Sequence, residues 1–267
     1  MIITWTILNN EIDYLADIID YHSSWVDKMY FLDTGSDDGS WEFLQSEASD
    51  KIIVERYHTL YQTEYSKDWH EMSAPFPEVE VRNYAIKQAE KLGDRDSWLI
   101  QLDGDEVFLS KTKEIIQANP FANVISHSTI NPVCPLSEHP MEKRRGLTVY
   151  DPHARIWKAG RGYNYIKNPA FHGAQYHCIP VAPKKSRGGE SFDKGTKVHL
   201  YGEPGNTWTD QIIHFHLHWM YGNKVDQYFN KKGISNREEI VKTQTVNQFA
   251  TSLPGKFWQA RTKWING

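Results

Sequence analysis

The chain reads as an α/β protein with a mostly parallel central sheet, and three observations predict it. Strand-like and helix-like segments alternate β-α-β-α-β in fewer than sixty residues at the start of the chain. A short apolar run, Trp98 to Leu102, has the length and composition of a buried strand. That run gives way within one residue to Asp103, Gly104, Asp105 and Glu106. Ligands of parallel sheets gather beyond the carboxyl ends of the strands, and Asp33 and Asp103 both fall at such ends.

In order, Ile2 to Leu8 mixes β-branched and aromatic residues and predicts a first strand. Asn9, Asn10 and Glu11 end it and can cap a helix whose apolar positions are Ile12, Leu15, Ile18, Ile19, His22 and Trp25. A second strand, Val26 to Leu32, runs into the loop Asp33-Thr-Gly-Ser-Asp-Asp-Gly39. A helix from Ser40 to about Ser46 and a third strand, Lys51 to Tyr57, follow. Residues 58–77 are aromatic and aperiodic, which predicts a long loop of the functional kind. Pro77 precedes a helix from about Glu78 to Leu92 that turns Val79, Ala85, Ile86 and Ala89 inward.

After the acidic turn, Lys111 to Ala118 reads as a helix and Ala122 to Ile130 as a strand. Pro132, Pro135 and Pro140 with Lys143-Arg-Arg145 predict an insertion or hairpin, and His153 to Lys158 a further strand. Lys184 to Glu190 is a Gly-rich basic turn without any P-loop or dinucleotide-binding pattern. Gln211 to Trp219 alternates, with His214, His216 and His218 on one face and Ile213, Phe215 and Leu217 on the other. The remainder, 222–267, reads as two or three helices broken at Pro254-Gly255.

Composition narrows the function classes. A hydrophobic share of 39% and a charged share of 24% are those of an ordinary globular chain. Net charge of -4 and a pI near 6.3 give no general attraction to nucleic acid or anionic lipid. Ten Trp and fourteen Tyr are unusual; core is their default role, and that many amphipathic rings also suits stacking on sugar or base faces. Cys134 and Cys178 make no disulfide framework. The first ten residues lack the basic region of a signal peptide, and no run approaches the ~20 apolar residues of a membrane helix, so a cytoplasmic location is expected.

Clustered carboxylates at the mouth of a buried strand repel one another and are costly to desolvate unless something positive sits among them. A hard divalent cation is the simplest such group, because it takes oxygen ligands and also holds substrate phosphates. Gly104 lets the backbone turn closely there. Alone, an Asp-x-Asp is more often a solvated turn.

The joint series is more specific. Asn10-Glu11, Tyr21-His22, Leu32-Asp33-x-Gly-Ser-Asp-Asp-Gly39, Arg82-Asn83-x-Ala85 and Leu102-Asp-Gly-Asp-Glu106 together resemble the GT-A fold glycosyltransferases of the family 2 type, over roughly the first 110 residues. The resemblance implies a Rossmann-like three-layer sandwich that moves a sugar from a nucleotide-sugar donor, UDP-sugar first among them, to an acceptor hydroxyl. It implies a divalent metal, Mn2+ or Mg2+, between the donor diphosphate and the acidic turn. On this resemblance Asp105 is the direct ligand, Asp103 contacts ribose or the metal, and Gly104 lies between them. Thr6, Leu8, Asn10, Glu11, Asp33, Gly35, Ser36 and Asp38 would hold the nucleoside side, and Arg82 would face the diphosphate. Arg82 pairing with Glu78 one helical turn earlier is an equally weighted reading. The His-rich strand is similar to the family's later metal position, and three histidines at spacing two fit a metal role for one of them, with His216 in the middle as the candidate.

One departure concerns the general base. Related chains often carry His-Glu where His172-Gly173 stands here, and Asp151, ahead of Glu190, is the candidate for an inverting mechanism. The expected organisation is a glycosyltransferase domain over 1–220, its halves at 1–110 and 111–220, with a helical C-terminal extension over 221–267 on the same domain. The acceptor class is a glycan, a lipid-linked glycan or another hydroxyl. A nucleic-acid acceptor ranks lower and would use Lys143 to Arg145 and Lys184 to Arg187. The alternatives are a non-catalytic carbohydrate-binding protein on this fold, or a nucleotidyltransferase, against which the absence of a Gly-rich basic loop after the first strand counts.

Overall fold

The computed structural model describes residues 1–57, 78–135, 149–167, 178–183, 191–192, 197–199 and 205–266. The loop expected at 58–77, the basic segments at 143–145 and 184–190, Glu190 and His172 lie outside them, as does the side chain of Asp151.

The first half runs β1 (Ile2–Leu8), α1 (Ile12–Ser23), β2 (Lys28–Asp33), α2 (Ser40–Glu47), β3 (Ile52–Arg56), α3 (Glu78–Glu90), β4 (Trp98–Gln101), β5 (Glu106–Phe108), α4 (Thr112–Ala118) and β6 (Val124–Ile130). Then come β7 (Val133–Pro135), β8 (Val149–Lys158), a small four-stranded sheet of β9 (Asn164–Lys167), β10 (Cys178–Pro183), β11 (Ser191–Phe192) and β12 (Lys197–His199), and the strands β13 (Asn206–Trp208) and β14 (His214–His216). The end of the chain is α5 (Asn223–Asn230), α6 (Arg237–Lys242), β15 (Gln244–Val246), a 3-10 turn and α7 (Gly255–Asn266).

The main sheet has the order β3-β2-β1-β4-β8-β6-β14-β5, with β13 also on β6. β3, β2, β1 and β4 are mutually parallel, as are β13 and β14 with β6, while β8 and β5 run against their neighbours. Alternation along β1 supplies two cores. Ile2 and Leu8 join α1 and the C-terminal helices through Leu15, Ile18, Phe229 and Phe257; Ile3 and Trp5 join α3 through Val81, Ala85 and Ala89. The layers are therefore helix, sheet, helix.

Local differences from the sequence reading have physical reasons. Val81, fully buried, replaces Val79 on the inner face of α3, because it shares one helical stripe with Ala85 and Ala89. The first turn of α1 is capped from the neighbouring loop, where Asp38 Oδ2 accepts the Ile12 N–H at 3.1 Å and Ser40 Oγ accepts the Glu11 N–H at 3.0 Å. The C-terminal segment is not purely helical: Gln244, Thr245 and Val246 form β15, antiparallel to β7. Its helices α5 and α7 bury Val225, Phe229, Phe257 and Trp264 in the same core as α1.

Candidate functional site

From β1 the chain moves to β2 and β3 on one side and to β4 on the other. Connections therefore diverge between β1 and β4, which leaves a crevice beyond their carboxyl ends. Residues from both ends meet there.

On the β1–β2 side, Asn10 adopts φ 59°, a left-handed conformation that Asn tolerates better than most residues. It is held by its N–H to Ser36 Oγ at 2.9 Å and by exchange with Asp37, whose N–H donates to Asn10 Oδ1 at 2.9 Å. Asp33 is fully buried at the end of β2. Its carboxylate accepts the Gly35 and Ser36 N–H groups, each at 3.1 Å, and pairs with Arg56 Nε at 3.1 Å. Arg56 also lies 5.3 Å from the Trp41 ring. Thr6 is buried on β1, and the Leu8 carbonyl accepts from both the N–H and the hydroxyl of Thr34.

The acidic turn separates its carboxylates into two settings. Asp103 Oδ2 receives Arg155 Nη1 at 2.9 Å, Gln101 Nε2 donates to Oδ1 at 3.2 Å, and Arg82 Nη1 lies 3.7 Å from Oδ1. Arg155 reaches this point because β8 runs against β4 with Ile156 opposite Ile100, which sets Arg155 level with the strand end. The same Nη1 donates to Glu106 Oε2 at 3.0 Å. Although burial opposes its charge, Arg155 and then Arg82 hold the Asp103 carboxyl well below the usual range. Burial pushes Glu106 up to about 7, with Arg155 opposing and Asp103 adding to the rise.

Asp105 faces the other way. Its Oδ2 lies 3.1 Å from His216 Nε2 and 3.3 Å from His218 Nδ1, and ligand atoms of the three residues all lie within 4.8 Å of one another. The backbone assists, since the Leu217 N–H donates to the Asp105 carbonyl at 2.7 Å. Burial disfavours both charges, yet the imidazoles hold Asp105 well below its ordinary range and the carboxylate pushes His216 up to about 9. His214, the third histidine, is fully buried and takes another direction. It stacks on Phe108 at 4.1 Å and places Nδ1 2.8 Å from Thr129 Oγ1 and 3.1 Å from His127 Nε2. Desolvation keeps both of those rings neutral.

Between the two groups, Glu11 pairs with Lys224 of α5, and its Oε2 is buried with no hydrogen-bond partner among the described residues. Burial and then Asp105 push it up to about 8. Gly104 is required by this packing: a Cβ there would stand 2.5 Å from Glu11 Cγ.

The structure thus brings Asp105 and His216 together with His218, and places Asp103 with Arg82 and Arg155. Hydrogen bonds join the start of α1 at Glu11 and Ile12 to Ser40 and Asp38, and Asp33 to Gly35 and Ser36, in the loop after β2. Asp151 lies on β8 upstream of Arg155. Arg155 and Lys224 escaped the sequence reading. A charged residue inside the apolar run Ala154-Arg-Ile-Trp157 was the one available signal for the first, and Lys224 carried none.

A set of one carboxylate and two imidazoles fits a borderline divalent cation. Ligand bonds of about 2.1 Å set neighbouring donor atoms roughly 3.0–3.4 Å apart, which the 3.1 and 3.3 Å separations match. Mixed nitrogen and oxygen donors suit a transition-metal ion better than Mg2+, which prefers oxygen alone.

No protein-family model matches the chain, and no curated protein matches it by sequence. Among solved structures, that of TarS 1-349 from S. aureus in complex with UDP is similar at 13% identity and a TM-score of 0.38, covering 59% of this chain and 46% of that one. The chain therefore spans less than half the length of that structure. No helix among the described residues is long and apolar enough to cross a membrane.

Proposed function

We propose that the chain is a metal-dependent glycosyltransferase of GT-A type that moves a sugar from a nucleotide sugar, UDP-sugar first, to an acceptor hydroxyl with inversion. The observation that carries the reading is the meeting of Asp105 with His216 and His218 at the carboxyl ends of β1 and β4, beside the Asp33–Gly39 loop. The series of motifs from Asn10 to Glu106 supports the sugar-nucleotide part of it.

Asp105, His216 and His218 would hold the divalent ion, which when bound supplies charge neutralisation to the departing nucleoside diphosphate. Asp33, Asn10, Ser36 and Asp38 would hold the nucleoside side of the crevice. Asp103, neutralised by Arg155, would keep Arg82 aimed at the diphosphate and contact the ribose. Asp151 is the first candidate for the base that takes the acceptor proton, with Glu190 second. The acceptor class in this reading is a hydroxyl of a glycan, of a lipid-linked glycan or of another molecule.

The test is a panel of UDP-, GDP-, CMP- and dTDP-sugars with and without Mn2+, read by thermal shift and by slow nucleotide release. A ligand at a hundred times its Kd stabilises by about 2.7 kcal/mol, a clear shift. The reading predicts metal-dependent stabilisation by one nucleotide, lost in Asp105→Ala. No shift with any nucleotide in the presence of metal refutes it.

A further inference from the structure

Arg261, on α7, is 5% exposed, and no carboxylate pairs with it among the described residues. A buried guanidinium without a counter-ion is costly, so its acceptors matter. They are concentrated on one short turn. Nη1 donates to the Met220 carbonyl at 2.5 Å and lies 3.4 Å from the Trp219 carbonyl, and Nη2 donates to Gln244 Oε1 at 2.6 Å. Gln244 in turn donates through Nε2 to the Trp219 carbonyl at 3.2 Å. From the opposite side, the Tyr14 hydroxyl of α1 reaches the carbonyls of Leu217 and Tyr221.

The carbonyls of 217, 219, 220 and 221 are therefore gripped by side chains from α1, β15 and α7. This turn directly follows His216 and contains His218. Regular strand pairing ends at His216, so beyond it these side chains supply much of the backbone support. We infer that Arg261, with Gln244 and Tyr14, is a positioning residue that sets His216 and His218 at Asp105 by fixing the turn between them and α5. The inference rests on the metal reading of that cluster. It makes the C-terminal helix part of the site rather than an appendage. Groups that orient metal ligands from behind typically carry 10- to 100-fold in metal affinity.

The experiment compares the full chain with Arg261→Met, Arg261→Lys, Gln244→Ala and a control, Arg237→Met. Arg237 lies on the same helical bundle but bonds Asp226 and the Trp264 carbonyl, not the turn. Mn2+ affinity is measured by EPR titration and local opening by amide hydrogen exchange of the metal-free protein, with circular dichroism reporting the fold. Arg261→Met weakens Mn2+ binding at least tenfold and speeds exchange over 214–221 selectively, Arg261→Lys recovers part of both, and Arg237→Met leaves affinity within twofold. Affinity and exchange unchanged in folded Arg261→Met, or an equal loss in Arg237→Met, overturns the inference. If Arg261→Met does not fold, Arg261→Lys and Gln244→Ala decide by the same readouts. A wild-type chain that binds no Mn2+ sinks the metal reading, while exchange over 214–221 still decides whether Arg261 fixes the turn.

Discussion

Replacing Arg155 with Met tests the electrostatic design of the crevice most directly. The guanidinium is 12% exposed and serves two carboxylates through one nitrogen, Asp103 at 2.9 Å and Glu106 at 3.0 Å, with Glu106 only 2% exposed. Met keeps most of the volume but leaves the Glu106 charge without its closest cation, and Asp103 with the Gln101 amide and the more distant Arg82, at 3.7 Å. Breaking one side of a buried pair costs about 3–5 kcal/mol. The cost depends on pH. Glu106 already stands at about 7 with Arg155 present and rises further without it, while Asp103 loses the partner that lowers it. Both changes make the folded variant bind protons more tightly than the folded wild type, so the stability gap widens as pH rises, by up to about 1.4 kcal/mol per unit for each group in its window. Urea unfolding followed by tryptophan fluorescence at pH 5.5 and pH 8 measures it. The expected loss is about 3–5 kcal/mol at pH 8 and at least about 1 kcal/mol smaller at pH 5.5, with partial recovery at pH 8 in Arg155→Met/Glu106→Gln. A loss below about 1 kcal/mol at pH 8, or one identical at both values, would falsify this account of the pair.

Two further outcomes follow from buried groups near the site. His22 is fully buried, gives its Nδ1 proton to the Ile18 carbonyl at 2.8 Å and accepts the Phe108 N–H at Nε2, and burial pushes it down to about 4. Between pH 6.5 and 4 the unfolded chain binds the extra proton and the folded one does not, so up to about 3 kcal/mol of stability is lost on acidification through that window, a slope His22→Gln flattens in urea titrations. Gly104→Ala forces Glu11 away from a Cβ that would otherwise lie 2.5 Å from its Cγ, which costs about 1–3 kcal/mol in unfolding experiments and weakens the Glu11–Lys224 pair.

The parallel half was legible because its signals are local. Ile2 to Leu8, the periodicity of Leu15, Ile18 and Ile19, and the turn chemistry of Asp33 to Gly39 each identify an element without reference to distant chain. The site was legible only as chemistry. Asp103 and Asp105 are two positions apart and of one residue type, and what separates them is which strand lies opposite: β8 brings Arg155 to one, and β14 with the turn after it brings His216 and His218 to the other. The histidine face was visible from alternation, but His214 and His216 part company because β5 sets Phe108 opposite His214, which stacks on it, and begins at Glu106, opposite His216. β15 was hidden in a helical stretch because three residues hold too little pattern, and its pairing with β7 is settled by the distant residues Val133 to Pro135. Arg261 and Gln244 act through backbone carbonyls, which carry no sequence signature at all.

The position of β14 in the sheet also bears on how the chain is made. Among the described residues β5 is joined to the main sheet only through β14, which itself lies between β6 and β5. During synthesis the first two hundred residues emerge with Glu106 to Phe108 unpaired and an open flank on β6, because the strand that closes both has not yet been translated. The acidic turn thus acquires its imidazole partners and its final strand support in the same late event. A ribosome-stalled chain ending before position 205 would carry the early α/β half with two unpaired strand edges.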